Sequence, residues 1–334
     1  MVSIEEEMMK LEEVTGYYCH NAVLPRVAEK YDELVCDDYD ELGIVIQGPL
    51  KREDEFTLET VRLYKKWYPN VTVIVSTWKN EDADVIRQME ECGAIVIQGD
   101  LPSNSGILNI NYQLTSSING IRKAKELNLE YVLKTRSDQR LTMNNFVEIL
   151  MHFLELYPTD FPEYQKGRII TPYFVPHIIG FLSDFMEFGY TCDMEKYFGA
   201  ELQSLTYKQV IDSSNATHIL DNSFGKCTAQ KMFGNAEIFD NDKTFNDLNS
   251  ECIFPEVYLG KSYMVNVLHL EPSLTNYMKY LSGGIVCADM KMLGLYWRKD
   301  IFKSVGKYNK GLASGLRYEA MYGDWLWLFR RCGV

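Results

Sequence analysis

From Gly43 onward the chain alternates short apolar, β-rich runs with longer stretches of helical periodicity. The runs are Ile44-Val45-Ile46, Val71-Thr72-Val73-Ile74-Val75, Ala94-Ile95-Val96-Ile97 and Tyr131-Val132-Leu133. Near-continuous hydrophobicity of this kind marks strands covered on both faces, as in a parallel sheet. Between the first two runs Leu58, Val61, Tyr64 and Tyr68 recur at helical spacing, and Pro69-Asn70 ends the pattern. A second helix is predicted from Asp82 to Glu91, closed by Gly93, and a third from about Asn111 to Leu127. The resulting order, β-α-β-α-β-α-β, predicts an α/β fold with a mostly parallel central sheet flanked by helices.

Before Gly43 the pattern is acidic and helical, which predicts an N-terminal helical extension over residues 1–42. Residues 43–165 then form one half, and 166–334, richer in aromatics and short loops, the other half of one continuous domain. The first half is expected to take the nucleotide side of a ligand and the second the acceptor side.

Ligands of open α/β sheets bind beyond the carboxyl ends of the strands, so chemistry is sought in the residues that follow each run. The first run is followed by Gln47-Gly48-Pro49, a turn in which a flexible and a rigid residue expose backbone and an amide. Ser76 and Thr77 end the second run and Asp100 follows the third. The fourth continues into Lys134-Thr135-Arg136-Ser137-Asp138, where Lys134 and Arg136 could neutralise a diphosphate and Asp138 could hold a divalent cation. Asn109, Asn111 and Gln113 put three amides at the start of the third helix, suited to an anion or to sugar hydroxyls, or simply to capping.

Charge and composition remove several classes. A net charge of -13 with no basic run longer than Lys65-Lys66 or Arg330-Arg331 speaks against nucleic acid. The eight cysteines form no C-x-x-C pair, so buried thiols are expected rather than zinc. No apolar run reaches membrane-spanning length and the first residues do not resemble a secretory signal, which predicts a cytoplasmic protein. A dinucleotide dehydrogenase would need a G-x-G-x-x-G turn where Gln47-Gly48-Pro49-Leu50 stands. A serine hydrolase is disfavoured because Gly311-Leu312-Ala313-Ser314-Gly315 puts its serine in the wrong place for a nucleophile elbow.

Taken in order, Ile44 to Pro49, Ile74 to Trp78, Asn111-x-Gln113 with Ser116, Ser117 and Gly120, and Leu133-Lys134-x-Arg136-Ser137-Asp138 resemble the WavE-like lipopolysaccharide-synthesis family. Leu182-Ser183-Asp184-Phe185 with Gly189, and Pro255-Glu256-x-Tyr258-Leu259, extend the resemblance, which spans roughly 43 to 265. It implies a GT-A-like, Rossmann-type fold that moves a sugar from a nucleotide donor, uridine-linked by expectation, onto a glycan or lipid-linked glycan of a bacterial surface polysaccharide. GT-A enzymes commonly hold Mg²⁺ or Mn²⁺ with an Asp-x-Asp pair. Here Arg136-Ser137-Asp138 occupies the matching positions, leaving Asp138 as the candidate metal ligand.

For the base that deprotonates an acceptor hydroxyl, Glu256 at a predicted helix start and Asp184 in its turn both remain candidates. His177 and His269 are expected to be structural. The aromatic and basic run from Trp325 to Arg331 fits a helix docked on the core in the first place, with contact to the inner membrane face as the alternative. A sugar-nucleotidyltransferase and a catalytically silent glycan-binding module are the competing readings.

Overall fold

A computed structural model of the chain describes residues 24–33, 39–176, 178–203, 255–298 and 320–332. The four apolar runs form β1 (Leu42–Gln47), β2 (Thr72–Trp78), β3 (Ile95–Gly99) and β4 (Tyr131–Arg136). Neighbours among them pair in parallel, in the order β3-β2-β1-β4. All six residues of β1 are buried, as a strand at the middle of a sheet covered on both faces must be.

The crossovers are α1 (Phe56–Trp67), α2 (Ala83–Glu91) and α3 (Ile110–Glu126). Leu58, Val61, Tyr64 and Tyr68, the predicted stripe, are each at most 2% exposed. At the start of α2 the Asp82 carboxylate accepts from the Asp84 N–H at 2.9 Å, and Gly93, at φ 85°, turns the chain away after its end. Helix α3 lies so close to the sheet that a Cβ on Gly120 would stand 2.3 Å from Val45 Cγ1.

Beyond β4 the sheet continues with β7 (Met186–Tyr190), antiparallel to β4, then β6 (Ile169–Thr171) and β8 (Ile285–Cys287). The sheet therefore runs without a break across residue 165, and one apolar core holds Ile44 and Val75 together with Ile285 and Trp325. Helices α4 (Phe146–Leu156), α5 (Thr191–Phe198), α6 (Pro255–Asn266), α7 (Leu274–Gly283) and α8 (Tyr322–Cys332) cover it. A separate ribbon pairs β5 (Gln139–Leu141) with β9 (Leu295–Trp297) in antiparallel fashion.

Most of the predicted N-terminal extension lies outside the described residues. Within it, Ala28–Lys30 forms a single 3-10 turn against α1: Ala28 N–H donates to Glu59 at 2.6 Å and Trp67 Nε1 to the Asp32 carbonyl at 2.9 Å. At the other end α8 docks on the core. Trp325 is fully buried and Leu328 nearly so, whereas Trp327 stays 48% exposed with the Arg331 guanidinium 4.7 Å from its ring. The apolar side of the C-terminal run is thus spent on packing, as the docked-helix reading expects, while Trp327 and the basic residues remain at the surface. Among the described residues no helix is long and apolar enough to cross a membrane. His177 and the Gly311–Gly315 stretch fall outside the described residues, while the His269 ring packs edge-on against Tyr164 at 5.1 Å.

Candidate active site

The chain winds outward from β1 through β2 to β3 and then returns to lay β4 on the other side of β1, so the strand order reverses between β1 and β4 and a crevice opens at their carboxyl ends. A cavity of about 660 Å³ lies there. From β1 it takes Gln47, Gly48, Pro49 and Lys51; from β4 Arg136, Ser137 and Asp138; from α3 and the residue before it Asn109, Tyr112, Gln113 and Ser116. The far wall is Tyr173, Asp184, Phe185, Pro255, Glu256 and Trp297, with Trp78, Leu101 and Leu108 closing the rim.

The Gln47-Gly48-Pro49 turn is laced to β4 and β2. Ser137 N–H donates to the Gln47 carbonyl at 2.9 Å, Ser137 Oγ to the Pro49 carbonyl at 2.6 Å, and Gly48 N–H to the Ser76 carbonyl at 3.0 Å. Gly48 sits at φ 107°, a conformation a side chain would strain. Ser116 Oγ donates to Gln47 Oε1 at 2.6 Å and so fixes the amide that the turn presents.

Arg136 is the hub of the site. Its Nε donates to Asp138 Oδ1 at 3.1 Å, one terminal nitrogen to Asp138 Oδ2 at 3.3 Å and the other to Asp184 Oδ2 at 3.2 Å. Trp297 Nε1 also donates to Asp138 Oδ2, at 3.2 Å, and Gln113 Nε2 to Asp184 Oδ2 at 3.0 Å. Burial on its own would lower the Arg136 pKa, but the carboxylates of Asp184, Asp138 and Glu256 outweigh it and raise it, so the group stays cationic. Aromatic rings stand around this cluster: Trp297 meets Phe185 at 4.9 Å between centroids and Phe185 meets Tyr173 at 5.7 Å.

Of the predicted site residues, the cavity gathers Gln47, Gly48, Pro49, Asn109, Gln113, Arg136, Asp138, Asp184 and Glu256. It does not gather Ser76, Thr77, Asp100, Asn111 or Lys134. Ser76 and Thr77 are buried within β2. Asp100 follows the edge strand β3 and, although its neighbour Leu101 lines the cavity, its exposed carboxylate is not part of the lining and pairs with Lys79 at 2.6 Å. The Asn111 amide is spent on the chain: it donates to the carbonyls of Asn104 and Gln203 at 3.0 and 2.8 Å and accepts from Gln203 N–H at 2.8 Å. Lys134 is wholly buried; it lies 3.1 Å from Glu187 and donates to the Asp184 carbonyl at 2.7 Å. Lys134 therefore braces Asp184 from behind and does not face a phosphate.

Asp138, expected to hold Mg²⁺ or Mn²⁺, does not fit that task as placed. Its fork is filled by Arg136 and Trp297, and Asp184 is tied to the same guanidinium. Among the described residues no three His, Cys, Asp or Glu side chains converge as a metal set. Tyr173, Phe185 and Trp297 carried no signal of their own in the sequence; Phe185 and Trp78 were visible only as members of the Ser183-Asp184-Phe185 and Ser76-Thr77-Trp78 strings.

A family model described as WavE lipopolysaccharide synthesis matches residues 42–231, more than half of the chain. No curated protein matches it. Solved structures overlap it partially and at low identity. A cytidylyltransferase from Leptospira borgpetersenii serovar Hardjo-bovis aligns at 15% identity and TM-score 0.31, over 49% of this chain and 66% of that one. A mannose-1-phosphate geranyltransferase from Thermus thermophilus aligns at 9% and 0.28, over 52% and 67%. A protein from Desulfovibrio desulfuricans described as a nucleotide-diphospho-sugar transferase aligns at 10% and 0.31, over 63% and 98%.

Proposed function

The chain belongs to the WavE lipopolysaccharide synthesis family, and from that premise we propose that it is a glycosyltransferase. In this reading it takes a sugar from a nucleotide-sugar donor, uridine-linked by preference, and delivers it to a glycan or lipid-linked glycan during synthesis of a bacterial surface polysaccharide such as lipopolysaccharide, O-antigen or capsule. The observation that carries it is the meeting, in one cavity, of the β1 and β4 tips with the first turn of α6. The Gln47-Gly48-Pro49 turn lets a nucleotide approach backbone closely, and Arg136 supplies fixed positive charge where a diphosphate would leave.

Opposite them stands Glu256. Asp184 has one carboxylate oxygen committed to Gln113 and Arg136 and its carbonyl held by Lys134, a posture for orienting a sugar rather than for moving a proton. Glu256, which lines the cavity from the first turn of α6, is the base that takes the acceptor hydroxyl's proton as the new glycosidic bond forms. The aromatic wall of Tyr173, Phe185 and Trp297 suits the apolar face of a sugar ring.

The test is to incubate the purified protein with uridine-, guanosine-, thymidine- and cytidine-linked sugars and follow free nucleotide. Slow donor hydrolysis without an acceptor is expected, and faster turnover with a glycan. A sugar-nucleotidyltransferase would instead consume a nucleoside triphosphate and a sugar phosphate and release pyrophosphate. Glu256→Gln should lower kcat by about 10²–10⁴-fold while nucleotide affinity stays put. Turnover undiminished in that variant would remove Glu256 from the mechanism. Silence with every donor, and with nucleoside triphosphates plus sugar phosphates as well, would favour a glycan-binding module.

A further inference from the structure

The strand tip at Arg136-Ser137-Asp138 is built around a cation that belongs to the chain itself. Arg136 grips both oxygens of Asp138 and reaches Asp184 with its remaining terminal nitrogen, so the position a chelated ion would take in the fork of Asp138 is already filled. Asp138 is only 4% exposed and is held a third time by Trp297, whose ring also lies 5.8 Å from the guanidinium. The clasp is therefore fixed before any ligand arrives.

Three of the five guanidinium N–H groups are spent in this way, and the side chain keeps 22% of its surface open at the cavity. Two N–H groups remain to meet phosphate oxygens, with the fork geometry that suits them. Charge agrees. Arg136 and Asp138 sum to zero, as two carboxylates and a divalent ion would, and Lys51 adds a positive charge on the β1 side of the cavity. The surplus carboxylates, Asp184 and Glu256, come from the opposite wall. Lys134, the other cation near this tip, is buried against Glu187 and leaves the role to Arg136.

We infer that the Arg136 guanidinium, set by Asp138, Asp184 and Trp297, takes the place of a divalent cation against the diphosphate of the donor, so that nucleotide binding in this chain requires no metal. The inference rests on the nucleotide-sugar reading above, and its failure can be told apart from the failure of that reading.

The experiment titrates the full chain calorimetrically with the diphosphates of uridine, guanosine, cytidine and thymidine, once in excess EDTA and once in Mn²⁺ or Mg²⁺. Affinity for the preferred nucleotide should agree between the two arms within about twofold. Arg136→Met should weaken it by about tenfold or more, and Arg136→Lys, which keeps the charge but not the fork, should recover part of the loss. Arg136→Asp places two carboxylates at the tip and should make binding depend on Mn²⁺, a gain that a merely misfolded variant would not show. Binding by the parent only in the Mn²⁺ or Mg²⁺ arm overturns the inference and leaves the transferase reading standing. Unchanged affinity in an Arg136→Met variant that melts with the parent also overturns it. No binding of any nucleotide in either arm sinks the nucleotide-sugar reading and this inference with it.

Discussion

Two residues of β4 on the same face of the sheet have opposite fates. Arg136 reaches the cavity, while Lys134 lies one pleat deeper, beneath Asp184 and 5.2 Å from the Phe198 ring. Both read as phosphate ligands in the sequence, because strand register tells which face a side chain takes but not how far the facing layer covers it. Lys134 faces Glu187, whose carboxylate has no well-aligned hydrogen bond among the described residues, and neither have the hydroxyls of Tyr197 and Tyr280, whose titration Glu187 influences. Burial pushes Glu187 up from 4.5 to about 7, against the pull of Lys134 and Arg136 and with a push from Asp184. Between those values the folded protein keeps a proton that the unfolded chain has released. Stability therefore falls as pH rises through the window and is highest below it. Glu187→Gln should flatten that fall relative to the parent, measured as urea midpoints at either end of the window. An equal fall in both proteins would assign it to other groups.

At the scale of elements, the parallel strands and their crossovers were legible because each buried strand spells a continuous apolar run and each helix carries its own stop. The start of α6 was legible too, since Pro255-Glu256 opens an apolar-spaced stretch. What places α6 was not. In its middle, a Cβ on Gly260 would lie 1.9 Å from the Gly180 carbonyl oxygen, and Gly180 itself sits at φ 83°. The contact joins residues distant in sequence and leaves no periodic trace. Because Glu256 lies one turn before Gly260, this close approach sets how far the carboxylate projects into the cavity. Gly260→Ala should cost about 1–3 kcal/mol of stability by overpacking and lower kcat, while nucleotide affinity, which depends on the β1 and β4 tips, is retained. Loss of nucleotide affinity together with kcat would contradict that division of labour. Trp297 escaped the sequence for a related reason: β9 is three residues long and gains its meaning only by pairing with β5.

At the scale of the whole molecule, the two halves are joined by the β4–β7 pairing and by one shared core, and the C-terminal helix α8 is part of that core. Trp325 donates its Nε1 to the Leu281 carbonyl at 2.8 Å, meets Tyr157 at 4.8 Å and Phe329 at 5.3 Å, and lies over the buried Arg168 guanidinium. The run Trp325-Leu326-Trp327-Leu328-Phe329 is apolar at every position, so the sequence could not say which side faces inward; the burial of Trp325 and exposure of Trp327 do. Any membrane contact through this helix would have to be made by Trp327 and the exposed Arg330 and Arg331 alone, a small area beside the interior face. Trp325→Ala should accordingly cost about 3–5 kcal/mol, whereas Trp327→Ala should stay within about 0.5 kcal/mol, both read from denaturant midpoints. If the two substitutions destabilised the protein equally, α8 would not be anchored through Trp325. The helix reaches the site only through the core: it packs behind β8 and α7, on the side of the sheet's end that also carries the β6 connection to Tyr173 and Phe174, and Phe174 is bridged to Ala320 just before α8 begins. Loosening α8 should therefore disturb the aromatic wall of the cavity before it disturbs the Arg136 clasp, and Trp325→Ala is expected to impair turnover at temperatures where nucleotide binding still survives.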